Sequence, residues 1–397
     1  MRIAIHDYAG HAFPLQLARQ LARRGHEVLH LWSSSLLTNP SAANDPSLTS
    51  GSFQSVALDL GRPVDKRNYL RLALEDEPAH SRMLVEKLEE FHPGIILSGN
   101  CSPQINHEII GYCRSSEAKF VAWVQDLYGK ATARILPSKF PIIGHAMAAF
   151  MEASERKMLN RADGMVLIAE EFYDHVPATN SPVAVIQNWA PLEELPQYPK
   201  VNPWSTAHGL EETTNFIYSG TIGMKHNPDL LVEIAKNHQA DPSVRVVVIS
   251  AGRGVEYLRD KKEEFGLENL ILLPYQPFSD VPLALATADV LVAVLEPDAG
   301  VFSVPSKVLS YLCAGRAILL GVPPENLAAR MVVGCGAGVC VEPTDTIAFG
   351  QEASRLVHDE KRRQQMAHAG RKFAEESFDI DRVTDDFEAL FRRVLEN

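Results

Sequence analysis

The strongest constraint on this chain is a change of hydrophobic period that repeats from end to end. Short, β-branched-rich apolar runs alternate with longer stretches whose apolar residues recur every three or four positions. In the first half the short runs are Ile3–His6, Glu27–Trp32, Pro93–Ser98, Lys119–Val124 and Gly164–Ile168. Between them, Pro14–Arg24 carries Leu15, Leu17, Ala18, Leu21 and Ala22 on one helical face, and Ser81–Phe91 repeats the pattern. The second half continues with Asn215–Tyr218, Val244–Ser250, Leu270–Leu273, Asp289–Leu295, Ala317–Gly321 and Gly338–Val341, again separated by helical segments. Strands joined by helices must pair in parallel, so the expected class is α/β with two Rossmann-like halves. Asn188–Trp204 separates the halves and holds Pro191, Pro196, Pro199 and Pro203, the mark of a linker. The expected division is 1–190, a linker at 191–204, 205–378, and a terminal helix at 379–397. On packing grounds that helix, with Val383, Phe387, Leu390, Phe391 and Val394 on one face, is expected to touch the first domain.

A length of 397 residues agrees with two domains. With 38 Lys+Arg against 50 Asp+Glu the chain carries −12, which argues against a nucleic-acid binder. The longest apolar-rich stretch, Pro141–Ala153, is too short to span a bilayer and is broken by His145 and Glu152. Asp7 follows the first apolar run so closely that the N-terminus reads as a buried strand, not a secretory leader. Five cysteines without CxxC spacing point to free thiols in a reducing cytoplasm and against a zinc site.

Three segments at strand ends can carry anion chemistry. Val304-Pro305-Ser306-Lys307 opens a helix that runs through Ser310 to Gly315. Pro305 suits a helix start, and Ser306 and Lys307 then sit where free amides and the positive dipole end face outward. A solvated lysine at a capped helix start reads equally well from these residues alone. Tyr218-Ser219-Gly220-Thr221-Ile222-Gly223-Met224-Lys225 follows a strand. Gly220 and Gly223 let backbone amides approach a ligand, and Lys225 supplies a point charge. Walker A spacing is absent. Ser250-Ala251-Gly252-Arg253-Gly254 ends the next strand, and Arg253 can fork onto a diphosphate, although an ordinary glycine turn is the simpler reading. Ligands of open α/β sheets bind at such strand ends, so together the three make a cationic pocket suited to a nucleotide diphosphate.

In the first half, Asp7 to Pro14 forms a glycine turn with Gly10 and His11 but lacks GxGxxG, which argues against a dinucleotide dehydrogenase. Asn100, Gln125 and Asp126 end strands and can face a cleft. Asp126 can hold a substrate hydroxyl, act as a base or simply cap a turn. Asp379-Ile380-Asp381 looks like a metal-binding DxD but reads better as a helix cap, so no metal is assigned. Lys130–Arg161 gathers Lys130, Arg134, Lys139, Arg156, Lys157 and Arg161 against Glu152 and Glu155. With Ile143, Met147, Phe150, Met151 and Met158 placed on one side, it can lie on an anionic membrane or against the core.

Taken in order, these motifs resemble the group-1 (family 4) glycosyltransferases of the GT-B fold, in which two Rossmann-like domains face each other across a cleft. YSGTIGMK, VQDLY, VIQNW and VPSKVLSYLCAG further resemble the branch that builds colanic acid, O-antigen and other exopolysaccharides. The resemblance implies a retaining transfer from a UDP- or GDP-sugar, with no essential metal or cofactor. The acceptor would be a polyprenyl-diphosphate-linked saccharide at the inner face of the cytoplasmic membrane. It implies that Gly220, Thr221, Gly223, Lys225, Arg253, Pro305, Ser306 and Lys307 hold the diphosphate. Gly252, Tyr275, Gln276 and Ser310 would line the nucleoside, partly through backbone groups. Gly10, His11, Asn100 and Gln125 would border the acceptor. Asp126, Lys225 and Lys307 would carry the chemistry, chiefly by stabilising the leaving diphosphate.

The sequence departs from the family pattern at telling positions. Thr221 stands where many members have arginine, Phe302 and Ser310 where many have glutamates, and Gln125 where many have histidine. Two other readings therefore stay open: a nucleotide-sugar 2-epimerase on the same architecture, and a non-catalytic sugar-nucleotide-binding partner of another transferase.

Overall fold

The structure, a computed structural model, describes residues 1–36, 52–65, 68–140, 142–223, 226–297 and 306–397. Lys225, Phe302 and Pro305 lie outside the described residues, as do the side chains of Arg134 and Lys139. The chain forms two compact units, Met1–Asn188 with Ile380–Asn397, and Trp189–Asp379.

The first unit runs β1 (Arg2–Asp7), α1 (Ala12–Arg23), β2 (Glu27–Ser33), β3 (Phe53–Leu58), α2 (Tyr69–Arg71), α3 (Glu77–Phe91), β4 (Ile95–Gly99), α4 (Pro103–Ser116), β5 (Lys119–Val124), α5 (Tyr128–Lys139), α6 (Gly144–Leu159), β6 (Gly164–Leu167) and β7 (Val183–Val185). Its seven strands are all parallel, in the order β3-β2-β1-β4-β5-β6-β7. Central strands are apolar on both faces because helices cover both, and Ile3, Ala4 and Ile5 are wholly buried. The strand β3 was not expected. Only Phe53 and Leu58 of it are buried, so this edge strand shows neither alternation nor a continuous apolar run. The helix α3 begins four residues earlier than its apolar pattern, after a π-turn at Leu72–Asp76. Its extra residues are polar yet buried: Asp76, Glu77, His80 and Ser81.

The second unit runs α7 (Pro203–His208), β8 (Thr214–Ser219), α8 (Asp229–Asn237), β9 (Val244–Ile249), α9 (Arg253–Phe265), β10 (Leu270–Leu273), α10 (Val281–Ala286), β11 (Val290–Val294), α11 (Ser306–Ala314), β12 (Ala317–Gly321), α12 (Leu327–Gly334), β13 (Gly338–Val341), α13 (Thr346–His358) and α14 (Glu360–Ser377). Its six parallel strands are ordered β10-β9-β8-β11-β12-β13. In both sheets the order reverses beside the first strand, at β1/β4 and at β8/β11, which creates a switch point in each unit.

The proline-rich stretch is anchored at both ends, while its residues 196–199 are exposed. Trp189, Ala190 and Leu195 are buried in the second unit. Asn202 forms a capping box with Ser205, accepting from the amides of Trp204 and Ser205 at 2.9 and 3.1 Å. The chain returns to the first unit through α15 (Ile380–Glu396), whose Val383, Phe387, Leu390, Phe391 and Val394 are buried on one stripe. Phe387 meets the Trp123 ring edge-on at 5.1 Å. Arg24 ties the helix to α1 through Asp381 at 2.8 Å and Asp385 at 2.5 Å. Asp381, half of the DxD, also accepts from Gln20 at 2.6 Å, so it is engaged in helix docking.

Phe387→Ala is expected to cost about 3–5 kcal/mol, since it deletes a fully buried ring with no way to collapse the space. The check is denaturant unfolding followed by a probe in the first unit, where the midpoint should fall while the transition of the second unit stays put.

Candidate active site

In the second unit the site is built where β8 and β11 part. The two strands pair only through Phe216–Val290 and Ile217–Leu291. Beyond that register Tyr311 of α11 fills the gap. Its hydroxyl accepts from the Ser219 amide at 3.0 Å and lies 3.2 Å from the carbonyls of Ser219 and Val292. A buried phenol thus satisfies strand-end groups that the diverging ladder leaves over. One helical turn earlier on α11 sits Lys307, so the same helix presents both residues on one face.

Lys307 is not a solvated lysine. Its ammonium lies 3.7 Å from the centre of the Tyr218 ring and donates to the Tyr218 hydroxyl. Tyr218 is fully buried and passes its own proton to the Thr221 carbonyl at 2.7 Å. A lysine in a first helical turn opposes the dipole by roughly 0.3–1 kcal/mol. A desolvated cation–π contact contributes about 2 kcal/mol, so the internal contacts outweigh that penalty. Gly220 lies directly beneath the side chain: a Cβ there would sit 3.3 Å from Lys307 Cε and 3.4 Å from Nζ, and its φ of +126° is closed to other residues.

The turn after β8 is tied to the ends of β9 and β10. The Ile222 amide donates to Ser250 Oγ at 3.2 Å, at the end of β9. The Thr221 and Tyr275 hydroxyls meet at 2.9 Å, at the end of β10. Gly254 lets α9 come close, since a Cβ there would fall 2.1 Å from Ile222 Cγ2. Arg253 is the first residue of α9, not a loop residue, and is exposed. Gly252 precedes it and gives the helix no side-chain cap. The N-termini of α9 and α11 therefore both adjoin the Gly220–Gly223 turn, in the arrangement that favours an anion. Ser306 is exposed and Ser310 half-buried on α11. Tyr275 is 48% exposed and offers a ring face. Gln276 is turned inward: its amide donates to the Pro274 carbonyl at 2.8 Å and accepts from the Trp204 indole at 3.0 Å.

In the first unit, Asp7 organises the strand ends, a role sequence reading did not give it. This buried carboxylate accepts from the Ala9 amide at 3.3 Å, the His11 amide, His11 Nδ1 at 3.2 Å and Asn100 Nδ2 at 2.9 Å. Burial alone would raise its pKa, but the adjacent His11 ring and the hydrogen bonds from His11 hold it below the usual carboxylate range. Gly10 closes the turn, its amide donating to the Asp7 carbonyl at 3.2 Å. Gln125 is buried and accepts from Asn188 at 2.5 Å, while its own Nε2 has no partner. Asp126 is exposed. The cap of α5 comes from Glu155 of α6, which accepts from the amides of Tyr128 and Gly129 at 2.8 and 2.9 Å. A cavity of about 20 Å³ lies among Asn100, Gln125, Asp126, Tyr128 and Glu155. That is room for one water, not for a sugar.

The expected apolar side of 130–161 divides in two. Met158 faces the core with Gly144, Ala148, Glu155 and Leu159, whereas Ile142, Ile143 and Phe150 are 96%, 55% and 71% exposed. Lys130, Arg156, Lys157 and Arg161 are exposed. No helix among the described residues is long and apolar enough to cross a membrane.

Residues 202–373 match the family model for Glycosyl transferases group 1. The chain carries a group 1 glycosyltransferase domain. The whole fold is that of GT-B structures. Sucrose-phosphate synthase from Thermosynechococcus elongatus superposes with a TM-score of 0.77 at 12% identity, over 100% of this chain and 99% of that one. HepE of Anabaena, crystallised with UDP-glucose, gives 0.70 at 14% identity, over 99% and 100%. WaaG, a glycosyltransferase involved in lipopolysaccharide biosynthesis, gives 0.67 at 14% identity, over 98% of each chain. No curated protein sequence matches this enzyme.

Two outcomes follow from this geometry. Tyr311→Phe removes the acceptor of the half-buried Ser219 amide and should cost the second unit about 0.5–1.5 kcal/mol, read from its denaturant midpoint. The second concerns the first unit. Burial lowers His6 and His30 to about 4 and, with the neighbouring His6, lowers His80 to about 2, while burial raises Glu77 to about 7 against the hydrogen bond from Ser102. The unfolded histidines take up protons first, so their contribution is lost as pH falls below about 6.5. Glu77 acts oppositely, its contribution being lost as pH rises from about 4.5 to 7. The midpoint of the first unit should therefore fall between pH 7 and 5, and fall more steeply in Glu77→Gln.

Proposed function

We propose that this enzyme transfers a sugar from a UDP- or GDP-sugar, with retention, to a saccharide carried on a polyprenyl diphosphate. The reading rests on one observation: the Lys307 ammonium held over the Gly220 turn where two helix N-termini adjoin it. A diphosphate fits that cluster of charge and amides, and its negative charge grows as the glycosidic bond breaks. A cation fixed in advance then stabilises the leaving group without reorganising. Arg253 and Ser306 add donors, and Lys225 belongs to the same motif. Tyr275 offers a stacking face to the base and Ser310 a hydroxyl to the ribose. Asp126, exposed at the end of β5, is assigned to the acceptor hydroxyl, with Gly10, His11, Asn100 and Gln125 bordering it. The mechanism calls for no metal, so activity should survive chelation.

The UDP-glucose of HepE supports a nucleotide-sugar donor, and the lipopolysaccharide role of WaaG supports a cell-surface acceptor. Exposed Ile142, Ile143 and Phe150, in the same segment as exposed Arg156, Lys157 and Arg161, suit the anionic surface that presents such an acceptor.

The test is a screen of UDP- and GDP-sugars for transfer to a lipid-linked saccharide and for slow donor hydrolysis, with and without chelator. Transfer with an α-linked donor giving an α-linked product supports the reading. No binding of any sugar nucleotide by folded protein overturns it, and binding without turnover in the presence of acceptor would favour the non-catalytic partner. Lys307→Met should lower kcat by ~10²-fold or more.

A further inference from the structure

We infer that Tyr218 is the positioning residue for Lys307: its buried phenol holds the ammonium over the diphosphate turn. This rests on the donor site proposed above and deepens it. The contacts run in one direction. The Tyr218 proton is committed to the Thr221 carbonyl at 2.7 Å, so the oxygen is left to accept, and Lys307 Nζ donates to it. The ring face adds a second hold at 3.7 Å. Burial pushes the phenol well above its ordinary pKa, which favours its uncharged form.

Lysine has a long flexible stem, and ordering it on binding weakens affinity; a lysine already held over Gly220 avoids that loss. The hold also joins the two ends of the pocket. Lys307 belongs to α11 and Thr221 to the turn after β8, and Tyr218 bonds to both.

The test is a double-mutant cycle on the full chain, with Tyr218→Phe, Lys307→Met and the double variant, read by calorimetry with UDP and GDP. Phe keeps the ring and removes the hydroxyl. Tyr218→Phe should weaken binding of the nucleoside diphosphate about tenfold, the scale of a lost hydrogen bond to a charged group. Lys307→Met should weaken it further, and the double variant should bind no more weakly than Lys307→Met alone, because Tyr218 acts through Lys307. A second measurement separates positioning from a disordered turn. Binding of the bare nucleoside, uridine or guanosine, followed by NMR titration, should be unchanged in Tyr218→Phe.

Wild-type affinity in Tyr218→Phe, additive losses in the double variant, or an equal loss for nucleoside and diphosphate would each overturn the inference while leaving the donor site standing. Failure of the wild type to bind either diphosphate would remove the donor site and this role together.

Discussion

The structure of the second unit turns on the parting of β8 from β11. A parallel sheet must leave backbone groups over where its order reverses, and those groups need partners. Here a single helix supplies them. Tyr311 bonds the end of β8 and the Val292 carbonyl of β11, and one turn away Lys307 reaches Tyr218 on β8 itself. The geometry that solves a problem of backbone satisfaction therefore also aims a cation at the strand ends. One helix thus supplies both the partner for the strand end and the lysine beside it.

The first unit meets the same demand with opposite charge. At its switch point the buried Asp7 gathers amides, His11 and Asn100 into one network, so the strand ends are fixed by a carboxylate where the second unit uses a phenol and an ammonium. Behind it lies a layer that apolar patterning does not anticipate. His6 bonds Ser98 at 2.9 Å and His80 at 3.0 Å, and Glu77 accepts from Ser102 at 2.6 Å. A π-turn ahead of α3 brings these polar residues into the interior. Such turns recur at functional positions in helices, and here the consequence is a core whose stability responds to pH near neutrality.

Much of this was legible in the chain because it depends on local pattern. Runs such as VRVVVIS and DVLVAVL are strands buried on both faces, and open α/β sheets take ligands at the carboxyl ends of such strands. The motifs around Gly220, Gly252 and Lys307 were recognisable for the same reason. What stayed hidden involves partners far apart in sequence. Tyr218 and Tyr311 both stood inside motifs that drew attention for their glycines and lysine, and nothing local shows that the two tyrosines converge on one turn. Met158 and Phe150 have the spacing of one helical stripe only if the stripe is drawn broadly, and packing of α6 sends one inward and the other out.

By itself, the sequence determined the class of fold, most of its strands and the glycine and helix-start chemistry of three strand ends, because hydrophobic period, glycine and helix-start residues act over a few positions. Tertiary structure decided which of those ends meet and what holds them. It anchored the proline-rich stretch at its ends through Trp189, Leu195 and the Asn202 cap. It returned the last helix to the first unit through Phe387 and Arg24. It gave Lys307 a neutral partner 89 residues away. Burial and hydrogen bonding are settled only when distant segments share a volume, and no window along the chain contains that information.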